Sequence, residues 1–304
     1  MSADGPLVVV ANPTAGRGKA GKLIGRVGTI LDELRVSHRV LVTDSPQDME
    51  STCRREAGSG AAIVAVIGGD GTVSCAANGL IGTETALGVL PAGTGDDFAR
   101  TIGVGRFDAA VKLLASPRVE TIDAIRVITA DQDRHFVNVA GAGFDSEVNE
   151  TANAMTIDLG GTGTYLAALV KTLRRFAPAR YDIVIDGQGA TLDAMLVVVG
   201  NAISYGGGMK VLPNAIIDDG RLDLCIVEAL AKGAFLRAFP KVYTGSHGSH
   251  PSVRLAQASV VEVGANRDVR VYADGEPVGS LPATFRIAPR ALRVVVGPRA
   301  KGIG

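Results

Sequence analysis

The sequence has 304 residues, of which 46% are hydrophobic and 4% aromatic, and its formal net charge is zero. A chain of this length usually forms more than one compact domain, and zero net charge excludes the overall basic character of a general nucleic-acid-binding protein. The three cysteines stand far apart without a Cys-x-x-Cys spacing, which excludes a disulfide framework or a cysteine zinc site.

The first 125 residues alternate short apolar runs, typical of buried strands, with segments of helical spacing. The predicted strands cover residues 7–11, 40–42, 61–67 and 86–90. The predicted helices cover residues 23–34, 47–56, 76–81 and 108–114. This alternation predicts a parallel sheet covered by helices on both faces, in which ligands bind at the carboxyl ends of the strands.

From about residue 122 the pattern becomes rich in strands bounded by Gly, Pro, Asp and Asn. The predicted strands cover residues 122–129, 134–139, 181–185, 190–199, 221–227, 259–263, 268–273 and 284–287. Helices are predicted over 164–176 and 232–243. We predict a second, mainly antiparallel β domain, with a last strand over 292–296 that fits either domain.

The segment Gly68-Gly69-Asp70-Gly71-Thr72 directly follows a buried strand and precedes a helix. Its glycines let main-chain N–H groups approach a phosphate, and Thr72 adds a hydroxyl near a helix N-terminus, which favours an anion. Asp70 repels phosphate in such a loop unless it holds a cation or accepts a proton. We predict phosphate binding here; a tight turn with a helix cap is the alternative.

A second loop of the same type, Gly93-Thr94-Gly95-Asp96-Asp97, follows the next strand. Its glycines and hydroxyl suit another part of a nucleotide, and its acids can cap the helix from Phe98 or hold Mg²⁺. Two such loops on successive strands indicate a phosphate site more strongly than either loop alone.

A third glycine-rich loop, residues 16–22, fits two nucleotide-binding patterns incompletely. Residues 12–15 separate it from the strand, whereas the dinucleotide pattern G-x-G-x-x-G begins tightly at the strand end. The P-loop pattern needs Ser or Thr where this chain has Leu23. Lys19 and Lys22 therefore lie near phosphate or in solvent.

Acidic turns are the candidate catalytic groups of the second half, because no His, Cys or Ser nucleophile arrangement is evident. The turns are Asp218-Asp219-Gly220-Arg221-Leu222-Asp223 and Asp274-Gly275-Glu276. Phosphoryl transfer to an alcohol needs a base and metal ions, although both turns are also typical of plain hairpins. His247 and His250 have no acidic or Cys partner nearby, so we predict a loop and not a metal site.

The predicted helix over 164–176 has an apolar stripe, with Lys171, Arg174 and Arg175 elsewhere on its surface. The stripe comprises Tyr165, Leu166, Leu169, Val170, Leu173 and Phe176. We expect it to pack on the β domain. The alternative is a lid that contacts lipid, with its basic residues facing anionic head groups.

Together these motifs resemble the diacylglycerol kinase-like lipid kinases of bacteria, whose relatives include the sphingosine and ceramide kinases. The resemblance covers almost the whole chain and also includes Asn12-Pro13-Thr14-Ala15-Gly16 and the run from Leu90 to Arg100. It implies an N-terminal α/β domain like that of NAD kinases and phosphofructokinases over 1–124. It further implies a C-terminal β-sandwich over 125–291, a strand in 292–304 that returns to the first domain, and ATP in the cleft between the domains.

The resemblance also implies roles for individual residues. It assigns Glu276 as the general base, with Asp70 close to the metal and the transferred phosphate. It assigns Asp219 as the side-chain ligand of a structural Mg²⁺, helped by the carbonyls of Ile216 and Arg221. The implied nucleotide-binding residues are Asn12, Pro13, Thr14, Ala15, Gly16, Thr43, Gly69, Gly71, Thr72, Val73, Ser74, Cys75 and Thr94.

Two positions depart from the family pattern. Ser74-Cys75 stands where the family commonly has Asn-Glu, and Asp96 stands where Asn is usual. Both departures affect expected nucleotide contacts, and Ser74-Cys75 is the best support for a non-catalytic nucleotide sensor as an alternative to a kinase.

The expected activity is transfer of the γ-phosphate of MgATP to a lipid hydroxyl, with diacylglycerol as the first candidate acceptor. Sphingoid bases, polyprenols, phospholipid head groups, NAD and sugars are alternative acceptors, and a dinucleotide-dependent oxidoreductase is the last alternative. The sequence has neither an apolar run of membrane-spanning length nor an N-terminal signal peptide. We therefore expect a cytoplasmic protein that reaches membrane lipid peripherally and binds no nucleic acid. A monomer and a homodimer both agree with the sequence.

Overall fold

The structure, a computed structural model, describes residues 5–155, 161–298 and 300 of the chain. It divides into two compact units. The first unit takes in the chain up to Ala124, the short segment Ile216–Asp219 and the residues from Pro289 onward. The second unit takes in Ile125–Ala215 and Gly220–Ala288. The segment Ile216–Asp219, which the sequence-based division keeps in the second domain, is thus grouped with the first unit.

Strands and helices alternate in the first part of the chain. The strands are β1 (Leu7–Ala11), β2 (His38–Val42), β3 (Ile63–Gly68) and β4 (Ala86–Pro91). The helices are α1 (Lys19–Glu33), α2 (Pro46–Gly58), α3 (Asp70–Leu80), α4 (Asp97–Thr101) and α5 (Phe107–Leu113).

Strands predominate in the rest of the chain. They are β5 (Arg118–Ile128), β6 (Asp133–Phe136), β7 (Val139–Gly143), β8 (Ala179–Ile185), β9 (Gln188–Gly200), β10 (Leu222–Glu228), β11 (Val253–Ala258), β12 (Val260–Ala265), β13 (Arg270–Ala273), β14 (Glu276–Ser280) and β15 (Ala283–Val296). The helices are α6 (Phe144–Asn153), α7 (Gly161–Arg175), α8 (Lys232–Ala238), α9 (Lys241–Thr244) and the 3-10 helix Ser246–Ser249.

The first unit contains a parallel sheet in the order β2-β1-β3-β4, and the end of β15 continues it beside β4. Strands β1 and β3 are buried along their whole length, as expected for strands covered on both faces. Helix α2 packs on α3, where Gly79 lies so close that an added Cβ would stand 2.5 Å from the carbonyl oxygen of Glu50. The predicted α/β fold is confirmed.

The second unit is built on antiparallel pairs in the order β14-β13-β7-β9-β8-β12, continued by the start of β15, and β10 pairs with both β9 and β11. Neighbouring residues of β9 face opposite sides, because strand side chains alternate. Val197 and Val199 belong to an apolar core shared with other strands, whereas Val198 belongs to a core shared with α6, α7 and α8. The predicted antiparallel β domain is confirmed.

Several elements of the structure differ from the prediction. The helix expected over 232–243 is split into α8 and α9, because Pro240 has no N–H to continue a helix. The strands expected over 284–287 and 292–296 are one strand, β15. The chain continues through Pro289 because Arg290 adopts a left-handed conformation, φ 53°, and donates its N–H to Asp123 at 2.7 Å. Helix α6 was not expected at all.

Helix α7 covers most of the predicted helical segment 164–176. Leu169, Leu173 and Phe176 of the predicted stripe are buried in the apolar core that helices α6, α7 and α8 share with the sheet. The side chains of Tyr165 and Leu166 lie outside the described residues. Across the described part of the chain, we find no helix that is both long enough and apolar enough to cross a membrane.

Candidate active site

Three loops meet at the carboxyl ends of β1, β3 and β4 in the first unit. A Cβ added to Gly16 would stand 2.4 Å from the carbonyl oxygen of Ala92. A Cβ added to Gly93 would stand 2.7 Å from the Cα of Gly69. These separations are shorter than any side chain permits, so the contacts require glycine. The motifs that the sequence analysis singled out are therefore brought together.

The loop after β1 is folded on itself. The side chain of Asn12 accepts hydrogen bonds from the N–H and the hydroxyl of Thr14, at 2.9 and 2.7 Å. Farther along, Gly21 donates its N–H to the carbonyl of Pro13 at 3.2 Å, and Ala20 donates to Ala15 at 3.2 Å. Because loop carbonyls accept the first N–H groups of α1, this helix start is not arranged like a P-loop.

The loop after β3 leads directly into α3, which begins at Asp70 and not at residue 76 as predicted. The cap residue, Gly69, has an extended backbone and, being glycine, provides no side-chain cap for the N–H groups of the first turn. Gly71 and Thr72 belong to this turn. Such a helix start is a favourable place for phosphate oxygens.

The next residues of α3 are part of the packed helix. Val73, Ser74 and Cys75 are buried, with Ser74 only 2% and Cys75 8% exposed. Their predicted nucleotide contacts are therefore limited to atoms that the helix leaves accessible. The replacement of the usual Asn-Glu by Ser74-Cys75 substitutes small side chains at buried positions.

The Asp70 carboxylate caps helix α4. Its Oδ1 accepts a hydrogen bond from the N–H of Phe98 at 3.0 Å, and its Oδ2 accepts one from the N–H of Asp97 at 3.2 Å. Burial raises the pKa of Asp70 above its ordinary value, and the Phe98 hydrogen bond opposes this shift. The alternative of a helix cap thus holds for this carboxylate, although it caps α4 rather than its own helix.

The loop after β4 is held by its own acids. Asp96 adopts a left-handed conformation, and its Oδ1 accepts the N–H of Gly93 at 3.0 Å. Since Asn has the same oxygen, Asp96 can replace the usual Asn in this bond. Asp97 is buried and forms an ion pair with Arg100, which also donates to the carbonyl of Gly95 at 2.7 Å. Thr94 is exposed at the loop tip.

Thr43 follows β2 at the same edge of the sheet. Its N–H donates to the carbonyl of Ala11 at 3.0 Å, and its side chain is 2% exposed. Its hydroxyl oxygen has no hydrogen-bond partner in the described part of the chain. A buried hydroxyl without a partner is costly, which marks Thr43 as a position where a ligand would satisfy a polar atom.

The segment Ile216–Asp219 is attached to the first unit through Asp123. The fully buried Asp123 donates its N–H to the carbonyl of Ile217 at 2.8 Å. Ile216 and Asp219 are exposed, and Arg221 belongs to the second unit. Residues 5–155, 161–298 and 300 contain no group of three or more His, Cys, Asp or Glu suited to a metal. A cation here would rely on one carboxylate with carbonyl oxygens, which suits Mg²⁺.

In the second unit, Glu276 follows a rigid hairpin turn. Asp274 and Gly275 join β13 to β14, and their φ angles of 50° and 86° are those of a type I′ turn. The buried Asp274 carboxylate accepts N–H groups of Val137 at 3.0 Å, Asn138 at 3.0 Å and Val139 at 3.2 Å. The turn is thus fixed, and it presents the exposed Glu276 at the start of β14. The sequence did not single out Asp274 for this role.

An apolar pocket lies inside the second unit, between the face of the sheet and helices α6 to α9. Its cavity volume is about 80 Å³. Most of its walls are hydrocarbon: Phe144, Leu169, Leu196, Met209, Val211 and Phe235. The pocket was not predicted from the sequence, because helix α6 was not predicted. The glycines at the end of β7, directly before Phe144-Asp145, were the available signal for it.

Two family models of known proteins match successive parts of the chain. Residues 6–127 match the family model described as the diacylglycerol kinase catalytic domain. Residues 138–296 match the YegS C-terminal NAD kinase beta sandwich-like domain, so the predicted β-sandwich is confirmed.

Named relatives align with most of the chain. A diacylglycerol kinase of Mycobacterium tuberculosis is 35% identical over 96% of this chain and 95% of its own. The probable lipid kinase YegS of Escherichia coli is 31% identical over 79% of each chain. A crystal structure of a candidate diacylglycerol kinase from Bacillus anthracis has a TM-score of 0.82 and 27% identity, and covers 97% of this chain and 96% of that one.

Proposed function

The chain belongs to the diacylglycerol kinase-like family of lipid kinases, and on that basis we propose that it transfers the γ-phosphate of MgATP to the free hydroxyl of a diacylglycerol. The observation that carries this proposal is the contact of the Gly69 and Gly93 loops at the uncapped start of α3. Main-chain N–H groups of the first turn of α3 would hold phosphate oxygens, while the loops at Asn12 and Thr94 line the rest of the nucleotide site.

Mg²⁺ would be held by the Asp219 carboxylate with the carbonyls of Ile216 and Arg221. This donor set consists of hard oxygen ligands, which Mg²⁺ prefers. When bound, this structural Mg²⁺ would hold the segment Ile216–Asp219 in place, whereas the Mg²⁺ that enters with ATP would neutralise polyphosphate charge. The link from Ile217 to Asp123 supports this role, because it anchors the ligand-bearing segment to the unit that carries the phosphate loops.

Glu276 would act as the general base. In the proposed step its carboxylate takes the proton of the lipid hydroxyl, and that oxygen forms a bond to the γ-phosphorus. The bond between the γ-phosphorus and the bridging oxygen breaks, and ADP leaves. The fixed turn at Asp274 supports this role, since a general base must be held in one position relative to the reacting oxygen.

The apolar pocket of the second unit would take an acyl chain. Its walls are mainly aliphatic and aromatic, and burying such chains is favourable by roughly 25 cal/mol for each Å² of apolar surface. The outer surface of α7 carries exposed Val170, Lys171 and Arg174, and α8 adds exposed Leu236. We propose that this mixed apolar and basic surface contacts the membrane from which the lipid is drawn.

The test is phosphorylation of diacylglycerol in mixed micelles with γ-labelled ATP. The wild-type chain should label the lipid, and Glu276→Gln should abolish labelling while ATP binding stays nearly unchanged. Glu262→Gln, an exposed acid on β12, is the matched control and should keep full activity. Undiminished labelling by Glu276→Gln would overturn the assignment of the base.

A total lipid extract tests the acceptor itself. If the wild-type chain labels a sphingoid base, a polyprenol or a phospholipid but not diacylglycerol, the assignment of diacylglycerol as the acceptor is wrong. The proposal that the chain transfers phosphate to a lipid is then still supported. If it binds ATP and labels no lipid, the chain is a nucleotide sensor.

A further inference from the structure

Two polar side chains interrupt the apolar wall of the pocket in the second unit. Asp145 and His247 both line it, and they are 4% and 6% exposed. In the described part of the chain, Asp145 Oδ1 and His247 Nδ1 have no hydrogen-bond partner. Buried polar atoms are nearly always paired, so two unpaired atoms on one pocket wall indicate a missing partner.

The position of Asp145 is fixed by its surroundings. It lies in the first turn of α6, and a Cβ added to Gly141 would stand 1.6 Å from Asp145 Oδ2, so the glycine makes room for the carboxylate. The main-chain N–H groups of Ser146 and Asp145 and the hydroxyl of Tyr205, another pocket residue, donate hydrogen bonds to this carboxylate. One oxygen is thus held in place while Oδ1 stays unpaired.

His247 is held through its other nitrogen. Nε2 lies 3.0 Å from the carbonyl oxygen of Val211, which only accepts, so we assign the proton to Nε2. Burial lowers the pKa of His247, which keeps the ring neutral and leaves Nδ1 as an acceptor. Both unpaired atoms can therefore accept a hydrogen bond.

We propose that Asp145 and His247 bind an O–H or N–H donor of the acceptor lipid, distinct from the hydroxyl that receives phosphate. This inference rests on the proposed phosphoryl transfer and predicts that, beyond plain diacylglycerol, the chain prefers acceptor lipids with a second donor in the buried part of the molecule. Water is the competing occupant, because the two unpaired acceptors and the nearby Tyr205 hydroxyl supply the two to four polar partners that a buried water needs; a site that only holds water would give no preference within the lipid pairs below.

Two matched lipid pairs test the inference. The first pair is 1-oleoylglycerol and its 2-O-methyl ether, and the second is dioleoylglycerol and its 12-hydroxyoleoyl counterpart. Each pair differs in donors, and every member keeps a hydroxyl to be phosphorylated. In at least one pair the wild-type chain should favour the donor lipid about 10- to 100-fold in kcat/KM, the range for a hydrogen bond to a charged or buried acceptor.

Two variants remove the acceptors. His247→Gln keeps a donor for Val211 but has no atom at the Nδ1 position, and Asp145→Asn places an N–H₂ group at one carboxylate oxygen. Each should bring the preference towards 1. Val242→Ala, an apolar change in the same wall, should affect both lipids of a pair alike and keep the preference.

The outcomes separate the two proposals. Equal kcat/KM within both pairs, or a preference that survives both variants, overturns the inference and leaves the kinase function intact. If the wild-type chain phosphorylates none of the lipids, the proposed function fails. The same ratios are then measured as affinities by calorimetry in detergent micelles, and equal affinities overturn the inference.

Discussion

Asp70 Oδ1 accepts a hydrogen bond of 3.0 Å from the main-chain N–H of Phe98. The bond joins the start of α3 to the start of α4, and thereby the loop after β3 to the loop after β4. Because α4 is only five residues long, this cap is a large part of what fixes its position. Asp70, the acid of the glycine motif, is therefore structural as well as a candidate for catalysis.

Asp70→Asn should destabilise the chain. An amide has one oxygen, so it can accept only one of the two N–H groups that Asp70 caps. We expect the free energy of unfolding to fall by about 1–2 kcal/mol, the range for a lost cap or a hydrogen bond to a charged group. Urea denaturation measures this fall, and Asp44→Asn, an exposed acid after β2, is the control that should change stability little.

Gly93→Ala should separate the two glycine loops. The new Cβ would lie 2.6 Å from Asp96 Oδ1 and 2.7 Å from the Cα of Gly69, so the backbone must move. We expect a loss of about 1–3 kcal/mol in stability and a raised KM for ATP.

Gly25→Ala is the matched control for this variant. Nothing lies within 4 Å of a Cβ added to Gly25 in the middle of α1. It should gain about 0.5–1 kcal/mol with an unchanged KM. An unchanged KM for Gly93→Ala would show that the loop contact is not needed for the nucleotide.

The loops themselves were predictable from the sequence, and their contacts were not. Strand–helix alternation places Gly16, Gly69 and Gly93 at one edge of a sheet, since parallel strands end at the same side. The direction of the Asp70 side chain depends on where α4 begins. The start of a five-residue helix is hard to predict, because so short a segment shows little helical periodicity. Likewise, α6 escaped prediction because its sequence, Phe144–Asn153, is polar and gains its helical order from packing on the sheet.

Asp274→Asn should loosen the turn that carries Glu276. Asn-Gly is itself favourable in a type I′ turn, so the turn persists, but the amide cannot accept three main-chain N–H groups as the carboxylate does. We expect about 1–3 kcal/mol lower stability together with a lower kcat.

The chain offers a close control for the Asp274 variant. Asp186 also has a positive φ beside Gly187, and its carboxylate accepts the N–H groups of Ser259 and Val260 at 3.0 and 2.9 Å. Asp186→Asn should reduce stability with kcat unchanged. Equal kcat values for the two variants would mean that Asp274 does not position Glu276.

Asp145→Asn should alter how stability depends on pH. Burial raises the pKa of Asp145 from 3.8 to about 6, so between these values the folded state holds a proton that the unfolded state has released. The contribution of Asp145 is fully present below pH 4 and is lost as the pH rises through 6. About two pKa units correspond to roughly 3 kcal/mol.

The difference between the two proteins gives the measurement. We expect the stability of Asp145→Asn relative to wild type to increase from pH 4 to pH 7 in urea denaturation. A difference that does not change with pH would mean that Asp145 titrates normally.

The first unit is built from chain segments that lie far apart in the sequence, and this affects how it folds during synthesis on the ribosome. Strand β4 pairs with Arg293 and Val294 of β15, which follow it only after the whole second unit, so β4 remains a sheet edge until β15 has been synthesised. The unit thus cannot finish folding as an independent N-terminal fragment, and a chain truncated after Ala124 would expose an unpaired, apolar strand to aggregation. Co-translational folding should accordingly complete the second unit before the first.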